Sequence, residues 1–309
     1  MKPKMLLVGG WNHSGTSPLV CTLQRNAKYA HFGYTKQLKY LPSQDHKIHT
    51  TRSILEVYKH VLDGTWENYM SDEPGSHRMN ETIDYEPLRD FPVSYFTKLM
   101  TGDRTERKLV DFYHALHDHV ISKGYKSVGD CYIGWKHRKE SLSGLYKTLA
   151  SEFDVKFLLI ARDPIRRSNS YYLFQTQRHI DDKEICTCDL GFPDYIKDLN
   201  RAHELFGKDN VHLIVMEELW EGDGTAKKQL SQFLDHPITD LWKNLYAPDR
   251  GHLIRFDKDV PCQAYGQSLG EIIPENYYHY KEKYKYIYDS WEDTFGSLPL
   301  YWGQPITYS

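Results

Sequence analysis

The chain has 309 residues, with 39 Lys and Arg against 42 Asp and Glu for a formal charge of −3, which gives neither an overall basic footprint for nucleic acid nor an acidic tail. Hydrophobic residues make up 40% of it, enough for a substantial core, while the longest apolar runs fall far short of the ~20 residues of a membrane-spanning helix. Cys21, Cys131, Cys186, Cys188 and Cys262 form no CxxC pair and no leader-like stretch follows Met1, so the expectation is a cytoplasmic protein with reduced thiols, no disulfide framework and no tetrahedral zinc site.

Lys4–Gly10 is a continuous apolar run closed by glycines, the pattern of a buried parallel strand, and a helix is expected over 17–24. From 29 to 62 the chain is polar, rich in His, Lys and Tyr, and without assignable periodicity. Leu109, Phe112, Tyr113, Leu116 and Val120 recur near helical spacing and predict a helix within 104–123. A short strand over 127–129 and a helix over 140–153 follow. Next come a second buried strand over 155–161 and a helix over 165–177.

The polar segment 180–190 is expected to be a loop. A helix over 192–206, a strand over 211–216 and a helix over 225–234 then repeat the alternation. After an irregular region over 237–274, an amphipathic helix is predicted over 275–295; its tyrosines, Tyr284 and Tyr288 among them, are expected to pack as aromatic core. Strands alternating with helices predict an α/β fold, a three-layer α/β/α sandwich around a central parallel sheet. One domain over 1–309 is expected, with an irregular or helical insertion at about 30–124 and a C-terminal helical tail at about 275–296.

The segment between the first strand and the first helix, Gly10-Trp-Asn-His-Ser-Gly-Thr-Ser17, has the spacing of the phosphate loop G-x-x-x-x-G-K-[ST], with Thr16 where the lysine stands. Such a turn aligns backbone N–H groups with a helix N-terminus, which together bind an anion, and Ser14, Thr16 and Ser17 add hydroxyl donors. Without the lysine that neutralises the β- and γ-phosphates, a nucleotide kinase using ATP and Mg²⁺ is the weaker reading.

Val8 to Ser17 resembles the 5′-phosphosulfate loop of sulfotransferases, whose common form is G-x-P-[RK]-[ST]-G-T-[TS]. A second segment matches as well. The strand ending at Ala161 runs into Arg162-Asp-Pro-Ile-Arg-Arg-Ser-Asn-Ser170-Tyr-Tyr172, similar to the family's 3′-phosphate element R-[DN]-P-x5-S-x-Y. Independently of the family, an Arg at a strand end makes a charge-assisted contact with phosphate, and a serine further along supplies a second donor. Val211 to Leu219 with Phe233-Leu234 resembles the late strand and helix, and Val128 to Tyr132 resembles the segment bordering the substrate cleft, without its lysine and proline. The resemblance spans about 4–26 and 125–236, and is closer to the Golgi and bacterial type than to the cytosolic type.

That resemblance implies a P-loop-like sulfotransferase fold and an enzyme that moves a sulfuryl group from PAPS (3′-phosphoadenosine 5′-phosphosulfate) to a hydroxyl or amine, leaving PAP (adenosine 3′,5′-bisphosphate). It implies no metal. It places Asn12, His13, Ser14, Gly15, Thr16 and Ser17 on the 5′ side of the donor and Arg162 and Ser170 on the 3′-phosphate, with Arg250 as a late basic cap. His13 stands where the family carries Arg or Lys, so it takes the role of cation or hydrogen-bond donor beside the leaving oxygen. Gln37 stands where the Golgi type carries its catalytic Glu and cannot serve as a base; His31 and Asp130 are the preferred substitutes. These two departures keep open a fold that binds PAP without turnover. The acceptor expected is a small molecule or a glycan, with no nucleic acid and no membrane span.

Overall fold

The computed structural model describes residues 2–11, 14–31, 91–100, 105–133, 140–168, 193–239, 241 and 281–303. Among them the strands are β1 (Lys4–Gly10), β2 (Tyr29–His31), β3 (Ser127–Ile133), β4 (Asp154–Ala161) and β5 (Val211–Val215). They form one sheet in the order β2-β3-β1-β4-β5, and every pairing is parallel. The helices are α1 (Thr16–Ala27), α2 (Val93–Met100), α3 (Glu106–Ser122), α4 (Glu140–Glu152), α5 (Tyr195–Phe206), α6 (Met216–Glu221), α7 (Thr225–Leu234) and α8 (Lys285–Phe295).

The side-chain alternation of β1 builds both faces of the core. Met5 and Leu7 join Leu109, Phe112, Tyr113 and Leu116 of α3, Leu149 of α4 and Ala202 of α5. Leu6 and Val8 join Leu19 and Leu23 of α1, Leu219 of α6 and Leu230 and Leu234 of α7. A strand covered on both faces needs an unbroken apolar sequence, which is why Lys4–Gly10 and Asp154–Ala161 read as continuous runs. The expected three-layer α/β/α arrangement around a parallel sheet is thus the arrangement found.

Four elements differ from the sequence reading. Tyr29–His31, in a stretch without periodicity, is an edge strand held by pairing with Ser127–Gly129. Strand β3 continues to Ile133 because β1 offers it partners as far as Gly10. Met216 opens the short helix α6 instead of closing β5. Finally, α5 begins at Tyr195, three residues later than expected, with Asp194 capping it by accepting the Lys197 N–H. The helix expected within 104–123 is found as α3 with six buried residues, among them Tyr113 and Leu116. The C-terminal helix is found over Lys285–Phe295, and the segment beyond it reaches back to Glu217 of α6 through Trp302 and to Asp163, just past β4, through Gly303.

Candidate functional site

The register of β1 against β4 pairs Gly10 with Ile160, so the segment after β1 and Arg162, one residue beyond β4, emerge side by side at the carboxyl end of the sheet. In open parallel α/β sheets that end, at the crevice between strands whose connections run to opposite faces, is where ligands bind.

The loop after β1 is built on close approach. A Cβ at Gly10 would stand 2.6 Å from Ile160 Cγ2 and 2.9 Å from Thr16 Cγ2, so only glycine lets α1 start this near the sheet. Gly15 has φ 92°, in the left-handed region, and a Cβ there would stand 2.5 Å from Met216 Sδ. The Ser14 N–H closes a turn onto the Trp11 carbonyl at 3.0 Å. Ser14 and Thr16 are buried, and Ser14 lies beside the Tyr195 hydroxyl. Thr16 and Ser17 open α1, whose first backbone N–H groups have no partner within the helix and present its positive end.

The wall behind this loop is made of Trp11, Asp198 and Arg167. The Trp11 indole N–H donates to Asp198 Oδ2 at 2.6 Å, and the Arg167 guanidinium lies 5.6 Å from the Trp11 ring. Burial raises the Asp198 carboxyl to about 8, an effect partly offset by the Trp11 N–H.

The end of β4 is organised by Asp163, which caps the helical turn over 164–168: its Oδ1 accepts from the N–H groups of Ile165 at 2.8 Å and Arg166 at 2.9 Å. Pro164, at the first helical position, lacks the N–H that would need a partner there. Asp163 Oδ2 accepts from the Gly303 N–H at 2.7 Å and the Tyr288 hydroxyl at 3.2 Å. Beside it, Glu217 Oε1 accepts the Asp163 N–H at 3.1 Å and Oε2 accepts the Trp302 indole N–H at 3.0 Å. The Arg162 guanidinium stands 3.9 Å from Glu217 Oε1, with its side chain 13% exposed. Burial raises the Glu217 carboxyl to about 7 against the opposing pull of Arg162; burial likewise raises Asp163. The Tyr195 hydroxyl donates to the Arg162 carbonyl at 2.6 Å, linking this end of the site to Ser14.

Of the residues expected at the donor site, Ser14, Gly15, Thr16, Ser17 and Arg162 come together at this carboxyl end of the sheet. Asn12, His13, Ser170 and Arg250 lie outside the described residues, as does Gln37. His31 closes β2, opposite Gly129. Asp130 is buried on β3 in register with Leu7, three residues short of the end of the β1–β3 pairing, and its carboxylate accepts the Tyr113 hydroxyl. Of the histidines of α3, His114 stacks on Phe153 at 4.5 Å, His119 meets Phe91 edge-on at 5.2 Å, and His117 Nδ1 lies 3.4 Å from Asp118 Oδ1.

Sequence reasoning gave no role to Asp163, Asp198, Glu217 or Trp302, although Asp163 and Glu217 fall within the matched segments. Asp163 was readable, since an Asp followed by Pro164 is a helix-start signal. Trp302 sends no local signal, because its partner is 85 residues away.

No protein-family model matches the chain, and no curated protein sequence does. Among solved structures, the chain is similar to a sulfotransferase from Alicyclobacillus acidocaldarius, with TM-score 0.50 and 14% identity over 98% of this chain and 100% of that one. The sulfotransferase domain of the Synechococcus PCC 7002 olefin synthase aligns over 87% of this chain and 85% of that one, with TM-score 0.44 and 12% identity. The first likeness shows the fold: the chain has the P-loop-like α/β architecture of a sulfotransferase. No helix among the described residues is long and apolar enough to cross a membrane.

Proposed function

We propose that the protein transfers a sulfuryl group from PAPS to a hydroxyl or amine of a small-molecule or glycan acceptor. The observation that carries this reading is the juxtaposition of the glycine-built loop at the start of α1 with Arg162 at the end of the neighbouring strand. A backbone cradle beside an arginine suits a ligand with phosphate groups at two ends. Thr16 in place of a lysine suits a donor whose leaving end is a single 5′-phosphate better than a triphosphate.

The residues fit the donor chemically. Gly15, which tolerates no side chain against Met216, keeps the backbone open to an anion. Arg162 and Ser170 are assigned to the 3′-phosphate, with Arg250 as a further cap. Asn12, His13, Ser14, Thr16 and Ser17 are assigned to the 5′ end. When bound, PAPS supplies the sulfuryl group and departs as PAP. In the transfer, the bond from sulfur to the phosphate oxygen breaks as the bond from sulfur to the acceptor forms, and the acceptor proton passes to a base. The N–H groups and dipole at the start of α1, with His13, stabilise charge gathering on the leaving oxygen. Asp130 already accepts the Tyr113 hydroxyl, so among the candidate bases His31 is the first to substitute.

The test is a thermal-shift comparison of PAP with ATP and Mg²⁺, followed by a screen for transfer of radiolabelled sulfate from PAPS to a panel of sugars, phenols and amines. Stabilisation by PAP and label transfer support the reading. Stabilisation by ATP–Mg²⁺ alone sinks it in favour of a kinase, and PAP binding without transfer to any acceptor in the panel points to a fold that holds the nucleotide without turnover.

A further inference from the structure

The pairing of β1 with β4 ends at Gly10 and Ile160, just before Trp11 and Arg162 leave the sheet. Beyond that point strand pairing no longer sets the distance between the loop after β1 and the segment that opens with Arg162. One turn of helix spans them instead. At the start of α5, the Tyr195 hydroxyl donates to the Arg162 carbonyl at 2.6 Å and accepts the Arg162 N–H at 3.4 Å. Three residues on, Asp198 Oδ2 accepts the Trp11 indole N–H at 2.6 Å. Residues three apart share one face of a helix, so a single turn grips both segments.

That turn has little freedom to move. Asp194 caps it by accepting the Lys197 N–H at 3.0 Å. Tyr195 is 1% exposed, and its ring packs edge-on against Trp291 at 6.1 Å and against Trp302 at 5.7 Å between centroids. Asp198 is buried completely. Ser14, further along the loop, lies beside the Tyr195 hydroxyl as well.

We propose that the first turn of α5 is a strut that sets the span of the donor site: Tyr195 holds the 3′-phosphate segment by its backbone, and Asp198 holds the 5′-phosphate loop through Trp11. Both are positioning residues, and neither touches the ligand. This rests on the assignment of PAP as the ligand. A nucleotide with phosphates at the 5′ and 3′ positions of one ribose needs the two half-sites at a fixed separation, since its second contact forms at the effective concentration that the first one creates. A nucleotide with one phosphate needs only one half-site and tolerates a change in their separation.

The test compares PAP with adenosine 5′-monophosphate and adenosine 3′-monophosphate by calorimetric titration of the full chain. Tyr195→Phe keeps the ring and deletes the hydroxyl, which cuts the strut at Arg162. Trp11→Phe deletes the indole N–H, which cuts it at the loop. Each is expected to weaken PAP binding about tenfold and to leave both monophosphates within about twofold of the parent. In the double variant the PAP loss should fall well short of the product of the two single losses, because a strut cut at one end no longer sets the span. A merely structural role gives neither the ligand selectivity nor this non-additivity.

Equal losses for all three nucleotides, PAP affinity unchanged in either variant, or single losses that multiply in full overturn the proposal; should one variant not fold, the other decides it. A parent protein that binds either monophosphate as tightly as PAP overturns the donor assignment itself, an outcome read before any variant is made.

Discussion

The indole N–H of Trp11 donates to the carboxylate of Asp198 at 2.6 Å, joining the first residue after β1 to the first turn of α5. Both residues are buried, Asp198 completely. The loop proposed to hold the donor is therefore anchored at its start by a side chain and at its end by Gly15 against Met216. Trp11→Phe keeps the ring beside Arg167 and deletes the donor, so the buried Asp198 carboxyl loses this hydrogen bond. The expected loss of stability is about 1–3 kcal/mol, measured as a shift in urea-unfolding free energy. No loss would show that the bond contributes nothing net to holding the loop.

Stability is expected to fall with rising pH across neutrality. Burial holds the Asp198 carboxyl at about 8 and that of Glu217 at about 7. Both lie above the values of the unfolded chain, so the folded state binds more protons in the interval between. Their contribution is fully present below about pH 4 and is lost as pH climbs through about 7 and about 8. His203 and His212, lowered by burial, act in the opposite sense, but mainly below about pH 6.5, where they charge on unfolding. Between about pH 6.5 and about pH 8.5 the two carboxyls outweigh the remaining histidine titration, so the urea midpoint should be lower at the higher pH. Asp198→Asn should reduce that difference; an unchanged difference would assign the slope elsewhere.

The parts of this fold legible in the sequence are those whose burial is two-sided or strongly periodic. Lys4–Gly10 and Asp154–Ala161 are covered on both faces and so are apolar at nearly every position. Helix α3 shows its buried stripe plainly, from Leu109 to Val120. The three-residue strand β2 was invisible because its order comes from pairing with β3 and not from its own pattern. The loop glycines and Arg162 were legible because they sit in contiguous segments with the spacing that the proposed phosphate contacts require. The carboxylates beneath them were not, since what makes Glu217 part of the site is Trp302 arriving from the far end of the chain.

Arg162→Ala tests the 3′-phosphate assignment directly. Losing one charged hydrogen-bonding partner should weaken PAP binding by about 1.5–3 kcal/mol. The same substitution should leave adenosine 5′-monophosphate binding almost untouched, because that ligand offers Arg162 nothing to hold. Titration calorimetry with both ligands reads the difference. Parallel losses would place Arg162 outside the 3′-phosphate contact.

Gly15 carries two separable constraints, and a double-mutant cycle with Met216 separates them. The first is conformational: φ 92° belongs to the left-handed region, where an alanine costs about 1–2 kcal/mol. The second is steric, since a Cβ would stand 2.5 Å from Met216 Sδ and 3.1 Å from its Cγ and Cε. Met216 is 3% exposed and packs in the core beside Leu219 and Ile214, so it cannot swing freely into solvent. Gly15→Ala in the parent therefore bears both costs. In a Met216→Ala background, already destabilised by the cavity left behind, Gly15→Ala bears only the first. The two costs should differ by at least about 0.5 kcal/mol in urea unfolding, the threshold at which contacting residues show coupling. PAP affinity gives the functional arm of the same cycle. The conformational cost shifts the N–H groups that open α1 in both backgrounds, so Gly15→Ala should weaken PAP binding in each, and more where Met216 remains. Identical stability costs in the two backgrounds would mean that Met216 does not press on Gly15, and that the loop is held open by backbone geometry alone.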